Sequence, residues 1–83
     1  MVPEREGKVI QVKVRLIGAF RIDRFKEQQS AYVEGTCVEE VVAQLNIPRR
    51  ALGTVLINGV HSRVDATLKD GDTLALLPIL GGG

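Results

Sequence analysis

The chain has 83 residues, 45% of them hydrophobic and 25% charged, with a formal net charge of +1. That length holds one domain with a thin core, which leaves little room for a deeply enclosed active site and favours a carrier or binding module over an enzyme. Basic residues are scattered, the densest groups being Arg49-Arg50 and Arg21/Arg24/Lys26, and aromatics are limited to Phe20, Phe25 and Tyr32, so neither a phosphate-binding stripe nor a base-stacking platform for nucleic acid is supported.

Met1 to Gly7 are polar, carry Pro3 and Gly7, and read as a loose leader (residues 1–7) without an apolar signal segment. From Lys8 the pattern alternates, with Ile10, Val12, Val14 and Leu16 on one side and Gln11, Lys13 and Arg15 on the other; this is a half-buried strand that Gly18 ends. Gly18 to Gln29 has no clear period and is expected to be a loop that packs Phe20, Ile22 and Phe25 over the core edge. Ser30 to Glu34 then returns as a short strand, closing a hairpin with the first.

A helix is predicted after Gly35, capped by Thr36 with Glu39 as its capping-box partner. Val38, Val41, Val42 and Leu45 form its apolar stripe, and Asn46 and Pro48 stop it. Thr54–Ile57 is a strand, Asn58-Gly59 a tight turn, and His61–Val64 a short edge strand. Asp70-Gly71 marks another turn, and Thr73–Leu77 is the last strand, apolar on both faces and therefore central. Pro78 is expected to end regular pairing. The order gives an α+β fold in which one helix crosses a small mixed sheet, with first and last strands parallel neighbours: a β-grasp domain over residues 8–78.

Residues 79–83 are left as a tail, Ile-Leu-Gly-Gly-Gly. Glycines there add no apolar burial and raise the entropy of ordering. Their advantage is slimness, since a Gly-Gly end can thread a narrow channel, and five residues beyond Pro78 reach roughly 17 Å when extended. A terminal carboxylate needs activation before it can transfer an acyl group, and with no GxxxxGK phosphate loop in the chain a separate enzyme would have to supply it. A bare Gly-Gly-Gly equally fits a disordered, inert end.

The stretch from Ile57 to Gly83 is more specific. Ile57-Asn58, Asp65, Leu68, Asp70-Gly71-Asp72, the final strand, Pro78 and Gly82-Gly83 stand in ungapped spacing, and this stretch resembles the small subunit of molybdopterin synthase, in the MoaD/ThiS family of ubiquitin-like sulfur carriers. The resemblance implies that an E1-like enzyme, using ATP and Mg²⁺, adenylates Gly83. A sulfur donor then converts it to a thiocarboxylate, and the large synthase subunit uses that sulfur to build the molybdenum or tungsten cofactor. It makes this chain a non-enzymatic carrier, with Gly81 and Gly82 threading the partner's channel and no cofactor of its own.

Family members often carry a second proline where Ile79 stands, and a small polar residue where Gly81 stands. A thiazole-forming carrier of the ThiS type, a ubiquitin-like protein modifier and an inert-tailed adaptor stay open as alternatives.

Ile17, Ala75 and Leu77 fall on the strand faces opposite the helix, where they would form an exposed apolar patch. The resemblance makes this patch, with Pro78 and Leu80, a docking surface for the large subunit and the activating enzyme. Fold-back of Phe20 or Phe25 over it is the competing expectation. Cys37 stands alone, which excludes a disulfide framework or CxxC metal site, and reads as a small buried residue. His61 lacks a second ligand, and turn chemistry accounts for Asp70 and Asp72. No apolar run approaches the ~18–20 residues of a membrane span, and no lipidation cysteine ends the chain, which points to the cytoplasm.

Overall fold

A computed structural model describes residues 8–79. The elements are β1 (Val9–Leu16), a 3₁₀ turn at Gly18–Arg21, β2 (Glu27–Val33), α1 (Val38–Gln44), a second 3₁₀ turn at Arg49–Ala51, β3 (Leu52–Ile57), β4 (Val60–His61) and β5 (Thr73–Pro78). The sheet runs β2-β1-β5-β3-β4. β1 and β5 are parallel, while β1–β2, β3–β5 and β3–β4 are antiparallel. This is the expected β-grasp, with the last strand at its centre.

Alternation in β1 puts Ile10, Val12, Val14 and Leu16 on the helix side, where they join Leu74, Leu76 and Val55 in one core. Val38, Val41 and Val42 meet them from α1 and are essentially inaccessible to solvent. A helix of seven residues rich in valine would not persist alone, so burial of that face holds it. Its first amides are also satisfied by a distant loop. Val38 N–H donates to the Ala66 carbonyl at 3.0 Å and Glu39 N–H to that of Val64 at 2.8 Å, while Leu68 fills the core beneath.

Four boundaries differ from expectation. The residue that caps α1 is Cys37, one position later than Thr36, and Glu40 rather than Glu39 returns its carboxylate to the Cys37 N–H at 2.9 Å. The Thr36 hydroxyl instead donates to Val33 O at 2.7 Å, closing the turn that ends β2. β2 begins at Glu27, because its N-terminal half is held to β1 by the backbone ladder and by exposed polar side chains and shows no apolar period. β4 is confined to Val60–His61, and β5 pairs through Pro78, which stands opposite Leu52. Within the Gly18–Gln29 stretch Phe20 is buried in the core, Phe25 packs against it and Ile22 is exposed.

The turn motifs behave as structural latches. Asp72 accepts from Lys69 N–H at 2.8 Å and from Asn58 Nδ2 at 2.9 Å, and Asn58 Oδ1 accepts from Thr73 N–H at 2.9 Å. Asp70 accepts from Gln11 N–H at 2.8 Å. The Asn-Gly and Asp-Gly-Asp turns thereby lock together at one end of the sheet and fix the start of β5.

Candidate functional site

The other end of β5 is where the chain leaves the sheet. On one side Ile79 N–H donates to the Ala51 carbonyl at 3.0 Å, one residue past the end of β5. The 3₁₀ turn Arg49–Ala51 aims that carbonyl, and Gly53 makes the approach possible. A Cβ at Gly53 would lie 2.8 Å from Pro78 O and 2.9 Å from both N and Cα of Ile79. Those are backbone atoms with no rotamer to move. Gly53 is also the extra residue of a bulge, since the β3–β5 register shifts between Leu52 and Thr54. On the opposite side, Ile17 N–H donates to Leu76 O at 3.1 Å, and Gly18 follows, 3.6 Å from Pro78 Cγ measured from the place of an added Cβ. Pro78 and Ile79 thus emerge in a fixed direction between two glycines.

The outward face beside this outlet is apolar. Leu16 pairs with Leu76 and Arg15 with Ala75, so Ile17 continues next to Leu77. Across β5, Ala75 stands opposite Leu56 and Leu77 opposite Thr54. Ile17, Ala75 and Leu77 therefore share this outward face, half-buried rather than exposed because central strands shield one another's side chains. Pro78 follows with the opposite parity, paired with Leu52 and also half-buried. Phe20 and Phe25 lie on the core side and do not cover this face. Its border is polar: Arg15 and Lys13 approach Glu27 at 3.5 and 3.7 Å, and His61 pairs with Leu56 at the other margin. These ion pairs are half-exposed and energetically minor.

Leu80, Gly81, Gly82 and Gly83, the other expected site residues, lie outside the described residues. Sequence reasoning missed Gly53, Ala51 and Leu56. A glycine interrupting a run such as Leu52-Gly-Thr-Val-Leu-Ile was a usable signal for Gly53, since it marks a bulge or a close backbone approach. Ala51 acts through its backbone and carried no signal. Cys37 is half-buried at the start of α1, distant in sequence from the outlet strands, and not fully enclosed as expected. Among the described residues, no group of three or more His, Cys, Asp or Glu side chains converges to hold a metal, and no helix is long and apolar enough to cross a membrane.

This arrangement defines a ubiquitin-like β-grasp module whose central strand leads out at Ile79 beside an apolar face. The ThiS family model matches residues 14–83, and the chain belongs to the ThiS family. No curated protein matches. Solved structures share the fold. A Pyrococcus furiosus protein assigned as molybdopterin converting factor subunit 1 superposes with a TM-score of 0.71 at 22% identity, over 86% of this chain and 99% of that one. Small archaeal modifier protein 1 of Haloferax volcanii gives 0.70 at 17% identity, over 86% and 99%. A chain in the Helicobacter pylori complex of subunits 1 and 2 of molybdopterin-converting factor gives 0.58 at 22% identity, over 89% and 100%.

Proposed function

We propose that this chain is a sulfur carrier for molybdopterin-type cofactor assembly, with Gly83, the last residue of the sequence, as its working group. The observation that carries the proposal is the outlet: a central strand clamped up to Ile79, beside a half-buried apolar face, in a sequence that ends Gly-Gly-Gly. In the cycle, the Gly83 carboxylate attacks the α-phosphorus of ATP on an E1-like adenylating enzyme and pyrophosphate leaves. Hydrosulfide supplied by the sulfur donor then attacks the acyl carbon and AMP leaves, so that the C–S bond of a thiocarboxylate stands where the C–O bond to AMP was. The large subunit of a molybdopterin synthase receives the loaded tail, with Ile17, Ala75, Leu77, Pro78 and Leu80 against its surface and Gly81-Gly82 in its channel. The chain itself contributes transport and docking rather than catalysis, and works in the cytoplasm.

Family membership favours a second destination, thiazole formation, through the same thiocarboxylate. The structural likeness to an archaeal modifier favours a third, conjugation to lysine through the adenylate. Intact-mass analysis after incubation with an activating enzyme, ATP and a sulfur source tests the shared chemistry. Replacement of one oxygen by sulfur, mapped to Gly83, is the expected result, and its absence with a competent enzyme would leave an adaptor with an inert tail. Supplying the loaded protein to a molybdopterin synthase large subunit, to a thiazole synthase or to a lysine acceptor then separates the destinations.

A further inference from the structure

The opposite border of the sheet, β2, has the properties of an open edge. Its seven residues, Glu27–Val33, contain neither proline nor lysine, and their register with β1 is unbroken from Val9↔Val33 to Arg15↔Glu27. Proteins usually blunt such an edge with one of those devices. Lys26 O accepts from Leu16 N–H at 2.9 Å and Glu34 N–H donates to Lys8 O at 3.0 Å, so the even-numbered residues direct their backbone groups at β1. The odd-numbered residues Glu27, Gln29, Ala31 and Val33 direct theirs away from the sheet. Among the described residues, one of those groups is engaged, the Val33 carbonyl, by the Thr36 amide and hydroxyl.

We infer that a second copy of this chain docks on the β2 edge, antiparallel, with Ser30 opposite Ser30 across a two-fold axis. In that register Gln29 and Ala31 of the two copies exchange both backbone hydrogen bonds, and Val33 N–H reaches the Glu27 carbonyl. Backbone parity excludes a slip by one residue, because even-numbered groups already face β1. The charges select among the registers that parity allows. With Ser30 on the axis, Lys26 of each copy stands opposite Glu34 of the other, in non-hydrogen-bonded positions where side chains approach most closely. No like charges are opposed: Glu27 meets Val33, and Gln28 meets Tyr32. A slip by two residues in either direction loses both Lys26–Glu34 pairs. Within its own copy Glu34 stands opposite Lys8, and Glu27 is engaged by Lys13 and Arg15 on the outer face, so neither acidic group is left to repel the incoming strand. A symmetric pairing of this kind closes on itself instead of propagating. The inference rests on the β2 edge and not on the carrier reading, because β1 separates that edge from β5.

The test is sedimentation equilibrium of the full chain at concentrations up to about 1 mM, since a one-strand contact is small and the association weak. The mass should rise with concentration from 9.0 kDa towards twice that value. Ala31→Pro removes a donor that faces the open edge and none that faces β1, so it should keep the wild-type fold and stay monomeric. Lys26→Glu and Glu34→Lys should each weaken self-association by roughly tenfold, by opposing like charges at both ends. Mixed together, the two variants restore both ion pairs and should associate like the wild type. A misfolded edge could not produce that recovery, which also covers failure of Ala31→Pro to fold. A monomer throughout, wild-type association of Ala31→Pro, or no recovery on mixing would each overturn the inference.

Discussion

Gly53→Ala tests whether the outlet is built as described. The added methyl would stand 2.8 Å from Pro78 O and 2.9 Å from Ile79 N and Cα, where ordinary contact begins near 3.4 Å. All three atoms are main chain, so the end of β5 must move by about half an ångström, and the Ile79–Ala51 hydrogen bond lies directly in the path. Overpacking against backbone costs about 1–3 kcal/mol, and an exposed backbone hydrogen bond adds about 0.5–1 kcal/mol when lost. For a domain of this size, a total near 2 kcal/mol lowers the melting temperature by roughly 10 °C. Hydrogen exchange supplies the specific readout, because the Ile79 amide should lose its protection while the β1 amides keep theirs. Gly71→Ala is the control. Its cost comes from positive φ (+88°) with no atom within 4 Å of the new methyl, so it should destabilise by about 1 kcal/mol and leave Ile79 protected. An unchanged melting temperature with a protected Ile79 amide in Gly53→Ala would refute the clamp. If the carrier reading holds, the variant should also be adenylated more slowly than its stability loss explains.

Asp72→Ala and Asn58→Ala should each destabilise by about 1–2 kcal/mol in chemical denaturation, and the double variant by less than their sum, because both belong to one latch. Additive losses would mean the turns are independent. Leu77→Glu should lower the melting temperature by roughly 5–10 °C, because the side chain is half-buried on the central strand. In the still-folded protein it should weaken binding to an activating enzyme or synthase large subunit at least tenfold, measured by calorimetry. Equal binding would move the docking surface elsewhere. Burial raises the Tyr32 phenol above its ordinary 10.0, partly opposed by a hydrogen bond with Ser30. Its contribution to stability is therefore whole below pH ~10 and is lost as pH rises further, since the unfolded chain ionises first. Tyr32 is the sole tyrosine, so tyrosinate absorbance should titrate above 10.0 in the folded chain, and Tyr32→Phe should flatten the alkaline fall in stability.

The architecture was legible wherever one face of an element is buried and the other wet. β1 shows this most clearly, and the apolar run of β5 correctly placed it at the centre. Prediction weakened where backbone alone sets the structure. The first half of β2 contributes no core side chain, so Glu27 to Gln29 carried no period. Thr36 looked like the better cap, and it lost that role because the tertiary turn recruits its hydroxyl to Val33. At the site, strand parity was enough to group Ile17, Ala75 and Leu77, whereas their partial shielding depends on neighbours from β3 that parity does not reveal. Ala51 was invisible for the same reason as β2: a carbonyl oxygen is common to every residue, and its aim comes from the fold.

Because β1 and β5 lie side by side and run in the same direction, with Lys13 level with Thr73 and Leu16 level with Leu76, the first strand begins at the far end of the sheet from where the last one finishes. Val9 and Pro78 are separated by about nine residue rises along the strands, roughly 30 Å. A reporter domain, affinity handle or solid support joined ahead of β1 would therefore hang from the molecule's opposite pole. Immobilised in that orientation, the protein would present the Pro78–Ile79 outlet outward to whatever flows past.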